Sequence, residues 1–452
     1  MVNRSNMNGI SSGRLAAGQY EQNFGDIHPP LDSHQASVEA SRCYFCFDAP
    51  CLAACPTSID IPLFIRQIAT GNTTGAAETI FQQNIMGGMC ARVCPTETLC
   101  EQACVRNGCE EKPVKIGLLQ RFATDEYMDK GRHPFQRAVA TGKKIAVVGA
   151  GPAGLSCAHR LAALGHRVTV YDTRAKSGGL NEFGIASYKS KNDFAQREVD
   201  FILSIGGIEI ENGVTLGRDI ELAAIRNYFN AVFLGMGMGG VNNLGLEGED
   251  MGGVMNAIDY IADLRQASDL SSLPVGRHVV VIGGGMTAVD IAVQTKLLGA
   301  EDVTLVYRRG LEQMKASEFE QHLAKITGVK IIQWAKPTDL VSEGGAVRAI
   351  RFDYTELDDQ GKLVSTGEQF ELAADMVFKA IGQKFISTVF GAHDAPELKN
   401  NRIIVDENRK TSLPNVWAGG DCIDGGEDLT VAAVEDGKVA ALSIDQFLKS
   451  GN

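Results

Sequence analysis

A strand, a glycine-rich turn and a helix occur twice in this chain, and that repeat constrains the fold more than anything else in the sequence. The first copy runs Ile145-Ala-Val-Val148, then Gly149-Ala-Gly151-Pro152-Ala153-Gly154, then a helix to about Leu164. Val168-Thr-Val-Tyr171 follows as a strand and ends at Asp172. The second copy starts 134 residues later, at Gly283 against Gly149. It runs Val279-Val-Val-Ile282, Gly283-Gly284-Gly285-Met286-Thr287-Ala288, a helix to about Leu298, and Val303-Thr-Leu-Val-Tyr307. Short apolar strands that alternate with helices of this length build a parallel sheet covered on both faces. The glycines let the backbone approach a pyrophosphate, and the helix N-terminus attracts it. Alanine is an accepted third residue of the fingerprint, so Ala288 breaks nothing.

The residues that end the second strand of each copy differ. Asp172 would accept a hydrogen bond from a free ribose hydroxyl, whereas Arg308-Arg309 would accommodate a 2′-phosphate. The plain alternative for the two arginines is a solvated loop tip. Two nucleotide folds in one chain, the second inserted in the first, is the layout of flavoproteins that bind two dinucleotides. The later segments agree with it. Val416-Trp-Ala-Gly-Gly420-Asp421 reads as a strand ending in Gly-Asp, and Thr430-Val431 opens a last helix. That helix would point its positive end at the flavin, where reduction builds negative charge. Gly178-Gly179-Leu180 lies where the chain would pass the flavin. Phe233-Leu-Gly-Met-Gly237 and Phe378-Lys-Ala380-Ile381-Gly382 read as crossings between the two nucleotide domains.

Ahead of this region, nine of the eleven cysteines fall between positions 43 and 109. One run is Cys43-x2-Cys46-x4-Cys51-x3-Cys55-Pro56, and the other is Cys94-Pro95-x4-Cys100-x3-Cys104, with Cys90 before it and Cys109 after it. Close spacing lets several thiolates reach one metal centre. The first run is similar to a bacterial ferredoxin's, with a longer second gap, and there the cysteine before proline ligates the neighbouring cluster. On that pattern Cys43, Cys46 and Cys51 hold one [4Fe-4S] cluster, with Cys104 crossing back to complete it. Cys55, Cys94 and Cys100 hold a second, whose fourth ligand by spacing is Cys90 or Cys109. Structural zinc would use Cys-x2-Cys pairs about 12–20 residues apart, and these cysteines are denser and less regular. A disulfide framework suits small secreted domains, but positions 1–20 are polar, with no apolar core of a signal peptide. Cys157 and Cys422 stand alone and read as packing residues. No Cys-x-x-Cys lies beside the expected flavin, so electrons are expected to leave through iron–sulfur.

Ile61 to Phe81 has helical spacing of apolar residues, and so has Ile116 to Met128. Residues 1–40 are polar, rich in turn formers, and read as an arm without a core of its own that could dock a partner. No apolar run approaches the ~18 residues of a membrane span. A net charge of −12 argues against nucleic acid as a partner. With reduced cysteines, these features place the chain in the cytoplasm.

The matching stretches Arg42-Cys43 to Cys46, Asp48-Ala-Pro-Cys51, Cys55-Pro-Thr57, Cys94-Pro-Thr-Glu-x-Leu-Cys100 and Ile116-Gly-Leu-Leu-Gln120 give a family resemblance. From residue 40 onward the chain resembles the electron-input half of dihydropyrimidine dehydrogenase. It is also similar to the small subunit of bacterial glutamate synthase. The resemblance implies Gln120 as the fourth ligand of the second cluster, and we follow it over Cys90 and Cys109. For FAD it implies Gly149, Gly151, Pro152, Ala153, Gly154, Asp172, Gly178, Gly179, Leu180, Lys189, Leu216, Gly420, Asp421, Thr430 and Val431. For NADPH or NADH it implies Gly283, Gly284, Gly285, Met286, Thr287, Arg308, Arg309, Lys315, Ala380, Ile381 and Gly382. Lys189 stands where the family often has arginine, and the loop from Cys422 to Leu429 is slightly longer.

The expected fold class is α plus α/β: an all-helical iron–sulfur domain, then two Rossmann-like nucleotide-binding domains, the second inserted in the first. The expected bounds are an arm at 1–40 and a helical domain with two [4Fe-4S] clusters at 41–140. The FAD-binding domain takes 141–267 and 384–452, and the NAD(P)H-binding domain 268–383. The resemblance implies hydride transfer at FAD, with no catalytic side chain, and electrons leaving for an FMN-containing partner subunit in a heterodimer or heterotetramer. That partner would reduce uracil or thymine. The alternatives are a glutamate synthase small subunit serving a glutamine amidotransferase chain, or a flavoprotein scaffold or redox sensor without turnover.

Overall fold

Each glycine-rich fingerprint sits at the carboxyl edge of a five-stranded parallel sheet. The computed structural model describes residues 9–391 and 394–450, so residues 1–8 of the expected arm and residues 451–452 lie outside the described residues. In the first sheet the order is Val416–Ala418, Ala231–Leu234, Lys144–Val148, Arg167–Asp172, Ile208–Asn212. In the second it is Val254–Asn256, Met376–Lys379, His278–Ile282, Asp302–Val306, Lys330–Ile332. Lys144–Val148 and His278–Ile282 are buried from their second residue on, as apolar runs covered by helices should be. An antiparallel sheet of Ala335–Glu343, Ala346–Leu357 and Leu363–Ala373 follows the second parallel sheet.

The chain divides into two compact units. The first holds residues 28–182, 189–239 and 385–450, and the second holds 9–27, 183–188 and 240–384. In the first unit the helical region and the first sheet share a single core. Phe64, Ile80, Phe81 and Tyr127 from the helical region pack with Leu155, Phe194, Phe201 and Val434. The Phe81 ring lies 4.8 Å from that of Phe201 and 5.9 Å, edge-on, from that of Tyr127.

Three expectations need correction. The apolar spacing of Ile61 to Phe81 is carried by two helices, Ile61–Ala69 and Thr73–Gln83. Asn72 interrupts it, because its side chain accepts from Gly75 N at 3.0 Å and starts a new helix. The second nucleotide unit begins near residue 240 rather than 268. Val254–Asn256 is the edge strand beside Met376–Lys379, and Tyr260 of the next helix packs edge-on against Phe378 at 5.1 Å.

The expected arm is the third. Ile10, Tyr20 and Phe24 are buried in the core of the second unit. Ser11 pairs with Val275 through two backbone hydrogen bonds, and Asn23 Nδ2 donates to Leu297 O at 2.9 Å. Residues 33–40 belong to the other unit. There Asp32 and Gln35 form a capping box that starts the helix Ser33–Ala40, and Ala36 and Ala40 are buried. A polar stretch with single, widely spaced apolar residues has no periodicity to announce that it contributes to a core.

Phe24→Ala tests the reassigned segment. Phe24 is fully buried, so truncation should cost roughly 3–5 kcal/mol. A denaturant melt that left the variant as stable as the parent would return residues 9–27 to a free arm.

Candidate functional site

The cysteines of the two runs converge in the first unit. Cys43, Cys46, Cys51 and Cys104 line one cavity, whose other walls include Ile61, Ile65 and Ile116. Backbone supports the ring, since Phe45 N donates to Cys43 Sγ at 3.4 Å. Burial, reinforced by the neighbouring Cys104 and Cys43, pushes the Cys51 thiol up to about 12. Burial also raises Cys43. Burial thus disfavours the thiolate forms of Cys43 and Cys51, which a cationic iron centre would offset.

The second set is Cys94, Cys100 and Cys55. Cys94 is raised by a hydrogen bond to Cys90 and by burial, with Cys100 and Cys55 nearby. Burial raises Cys100, which neighbours Glu101, Cys55 and Cys51. Among the described residues, no three His, Cys, Asp or Glu side chains are drawn in to a single metal-ion position. Four thiols around the first cavity match the four ligands that a four-iron cube takes.

Gln120 is buried on the helix Ile116–Met128. Its Nε2 donates to Gly87 O at 2.7 Å. Gly87 opens the short helix Gly87–Val93, which ends at Cys94. With the amide nitrogen engaged there, Oε1 is the atom left to act as a ligand. Cys90, on the same short helix, is buried beside Cys94, while Cys109 is exposed on Val105–Glu110. Cys157 and Cys422 are fully buried; burial raises both, Cys422 to about 12, which suits packing residues.

The expected FAD residues gather at the carboxyl edge of the first sheet. Gly149 and Gly151 lead into the helix Pro152–Ala163, with Pro152 in its first turn and Ala153 buried. A Cβ on Gly154 would lie 1.8 Å from Gly149 O, so only glycine fits where helix and strand meet. Asp172 Oδ2 accepts from Ala150 N at 2.6 Å and Oδ1 from Arg174 N at 2.7 Å. The carboxylate thus clips the glycine turn shut while keeping lone pairs for a ribose.

Gly178 N donates to Ala150 O at 2.8 Å and Gly179 lies against Gly151, so the Gly178–Leu180 segment sits on the fingerprint. Thr430 Oγ1 donates to Asn181 Oδ1 at 2.8 Å. This joins the start of the last helix, Thr430–Lys449, to the same segment. Val431 behind it is buried, as is Leu216 in a turn that follows Ile208–Asn212. Lys189 is half-buried in the same unit. Gly420 N donates to Asp436 Oδ2 at 2.8 Å, and Arg409 Nε donates to Asp436 Oδ1 at 2.6 Å. Next to it, burial, with Asp428 nearby, raises Asp421 to about 6. Asn181 and Asp436 escaped the sequence reading, because neither stands in a motif and both act through contacts about 250 and 16 residues away.

In the second unit, Met286 and Thr287 start the helix Met286–Leu297 after the glycines. The ring of Tyr307 packs against Gly284, and Ala316 N donates to Gly284 O at 3.1 Å. The return segment closes on the same turn. Ala380 N donates to Ile282 O at 2.9 Å, and Asn242 holds the carbonyls of Ile381 and Gly382. Arg308 and Lys315 are exposed and Arg309 is half-buried. None of the three side chains has a carboxylate partner among the described residues. Three unpaired cations beside a fingerprint turn can bind a phosphate strongly.

Comparisons with known proteins place two family matches on the chain. Residues 20–132 match the family described as dihydropyrimidine dehydrogenase domain II, 4Fe-4S cluster. Residues 143–437 match the pyridine nucleotide-disulphide oxidoreductase family. The NAD-dependent dihydropyrimidine dehydrogenase subunit PreT of Salmonella typhimurium is 35% identical over 431 residues, which are 95% of this chain and 98% of that protein. The glutamate synthase [NADPH] small chain of Escherichia coli is 34% identical, covering 94% of each chain. Among solved structures, FprA from Mycobacterium tuberculosis shares the fold with a TM-score of 0.58 at 18% identity, over 68% of this chain and 85% of that one. Thioredoxin reductase of T. acidophilum shares it at 0.52 and 22% identity, over 68% and 99%. No described helix is long and apolar enough to cross a membrane. The chain therefore belongs to the pyridine nucleotide-disulphide oxidoreductase family, as an NAD(P)H-dependent oxidoreductase that joins a 4Fe-4S domain to FAD- and NAD(P)H-binding domains.

Proposed function

We propose that this chain is the electron-input subunit of a dihydropyrimidine dehydrogenase. It takes reducing equivalents from NAD(P)H and delivers them to an FMN-containing partner subunit, which reduces uracil or thymine to the 5,6-dihydro base. The observation that carries this reading is the placement of two cysteine sets and a flavin-type cradle in one unit with one core. The PreT relative, matched over 98% of its length, supports the choice of substrate class. When bound, FAD accepts hydride from the nicotinamide and the iron–sulfur clusters carry single electrons onward.

The chain's own residues position these groups. Asp172 orients the ribose, and the N-termini of Pro152–Ala163 and Thr430–Lys449 supply positive potential. Cys43, Cys46, Cys51 and Cys104 ligate one cluster, and Cys55, Cys94, Cys100 and Gln120 the other. Arg308, Arg309 and Lys315 favour a 2′-phosphate, hence NADPH, although the PreT relative is named NAD-dependent. Protonating the pyrimidine carbon needs an acid beside a second flavin, and both belong to the partner. The cytoplasm suits this assignment, since thiolate ligands stay reduced there. The second reading, favoured by the 34% identity to a glutamate synthase small chain, replaces the partner by a glutamine amidotransferase chain.

Three outcomes test these assignments. Reconstituted protein should hold about eight irons per chain, as two four-iron clusters require. Gln120→Ala should lose or convert one cluster, while Cys90→Ser and Cys109→Ser keep full iron. Iron halved in Cys90→Ser would hand the fourth position to Cys90. Changing Arg308 and Arg309 together to alanine should raise the KM for NADPH roughly ten- to a hundredfold more than that for NADH, the size expected for charge-assisted hydrogen bonds. Equal KM values for both nucleotides in the parent enzyme would refute the NADPH preference. Alone, the chain should oxidise NAD(P)H with ferricyanide but not with uracil, and the FMN subunit should restore uracil reduction. Uracil-dependent oxidation by the isolated, FMN-free chain would overturn the partner assignment.

A further inference from the structure

The stretch Cys55-Pro56-Thr57-Ser58 is a tight turn. Ser58 N donates to Cys55 O at 2.9 Å, which closes a four-residue β-turn with Pro56 in its second position. Proline's fixed φ suits that position. The turn folds the chain back on itself, so that Thr57 Oγ1 lies 3.4 Å from Cys55 Sγ. Thr57 is fully buried, and no solvent competes for its hydroxyl.

Charge decides which atom donates. A cysteine that ligates iron does so as a thiolate, with no proton to give. The threonine hydroxyl is then the donor. Hydrogen bonds to ionised acceptors are roughly twice as strong as neutral ones. Such bonds to the sulfurs are among the factors that set a cluster's potential.

A second element holds the turn. Lys438 Nζ donates to Thr57 O at 3.2 Å and to Gln83 Oε1 at 3.0 Å, and pairs with Glu435 Oε2 at 2.7 Å. An ammonium group has three donors, and these contacts engage all of them. Glu435, on the same helix, balances the charge of Lys438, so the lysine serves as a clamp rather than as a field on the cluster. Thr57 is thereby fixed at its carbonyl and at its hydroxyl. The clamp belongs to Thr430–Lys449, whose first residue bonds Asn181 on the flavin side.

We propose that Thr57 tunes the second cluster: its hydroxyl donates to the Cys55 thiolate and raises the potential at which that cluster accepts an electron. Lys438 is the positioning residue that holds it there. An added electron places more negative charge on the ligand sulfurs, and an O–H dipole aimed at Cys55 Sγ stabilises that charge. No bond breaks, and the proton stays on Thr57. The inference rests on the assignment of Cys55 to that cluster.

The test uses the reconstituted, FAD-loaded full chain. Iron is counted, and the reduced clusters are followed by electron paramagnetic resonance through a redox titration. The signal that Cys100→Ser removes or alters belongs to the second cluster. Thr57→Val keeps the side chain's shape and drops the donor. It should keep about eight irons per chain. Its second cluster should titrate about 59 mV lower, a tenfold change in the ratio of reduced to oxidised cluster for one electron. Thr57→Ser should restore the parent's midpoint. Lys438→Met keeps the hydroxyl but frees the turn, and should lower the midpoint by a smaller amount. Resonance Raman of the oxidised protein reads the same bond without any reduction. The Fe–S stretch of Cys55 should rise in Thr57→Val and return in Thr57→Ser.

A fully loaded Thr57→Val chain with the parent's midpoint and Raman bands would overturn the tuning role. So would a Thr57→Val chain that loses the second cluster, because the hydroxyl would then serve assembly instead. The parent's midpoint in Lys438→Met would remove the clamp. The ligand assignment beneath the proposal is judged apart, by Cys55→Ser. If that variant kept both clusters with unaltered signals, Cys55 would not be a ligand and the tuning role would fall with it.

Discussion

The approach of the last helix to the first fingerprint helix sets the geometry of the first unit. Where Thr430–Lys449 crosses Pro152–Ala163, a Cβ on Gly437 would lie 2.2 Å from Ala153 O. Ser156 Oγ donates to Val434 O at 2.7 Å across the same crossing. So close a contact brings two helix N-termini to one flank of the sheet, where a pyrophosphate and a reduced flavin both need positive potential. The same helix holds the Gly420 turn through Asp436. Two residues on, Lys438 donates to Thr57 O at 3.2 Å and Gln83 Oε1 at 3.0 Å in the cysteine-rich region. A single element thus fixes flavin-side groups and cluster-side groups within one body. Electron transfer depends steeply on distance, so this coupling matters more for function than any one contact.

A buried polar network reinforces that join. Glu198 is fully buried and accepts from Met89 N at 2.8 Å, at the start of the helix that ends in Cys94. Burial raises it to about 8 despite Met89 and Arg92. Arg92 lies 3.4 Å over the Phe194 ring and forms a two-pronged pair with Asp125. Its charge is therefore satisfied even where burial works against it.

Periodicity and glycine spacing made the two parallel sheets and both fingerprint helices legible, because short range chemistry decides them. Ile116–Met128 was legible to the residue for the same reason: its apolar face is unbroken. The interruption at Asn72 was not, since one side-chain hydrogen bond outweighed a continuous apolar stripe. The cysteine sets were readable from spacing, yet the position of Cys90 beside Cys94 depends on how the short helix ends. Asp436 and Asn181 were beyond reach, because their contacts with Gly420 and Thr430 exist only once separate segments meet. The same holds for Tyr20 and Phe24, whose core partners lie in another part of the chain.

That last case bears on how the polypeptide is made. Asn23 meets its partner Leu297 across 274 residues of chain. At about 5–20 residues per second of synthesis, the segment leaves the ribosome roughly 14–55 seconds before its partner exists. Meanwhile Ile10, Tyr20 and Phe24 have nothing to cover them, while residues 28–182 already have most of a core to collapse into. Nascent chains of this kind expose a small apolar handle for much of translation, which makes the early stretch a natural place for chaperone capture and, under crowding, for misassociation between neighbouring chains.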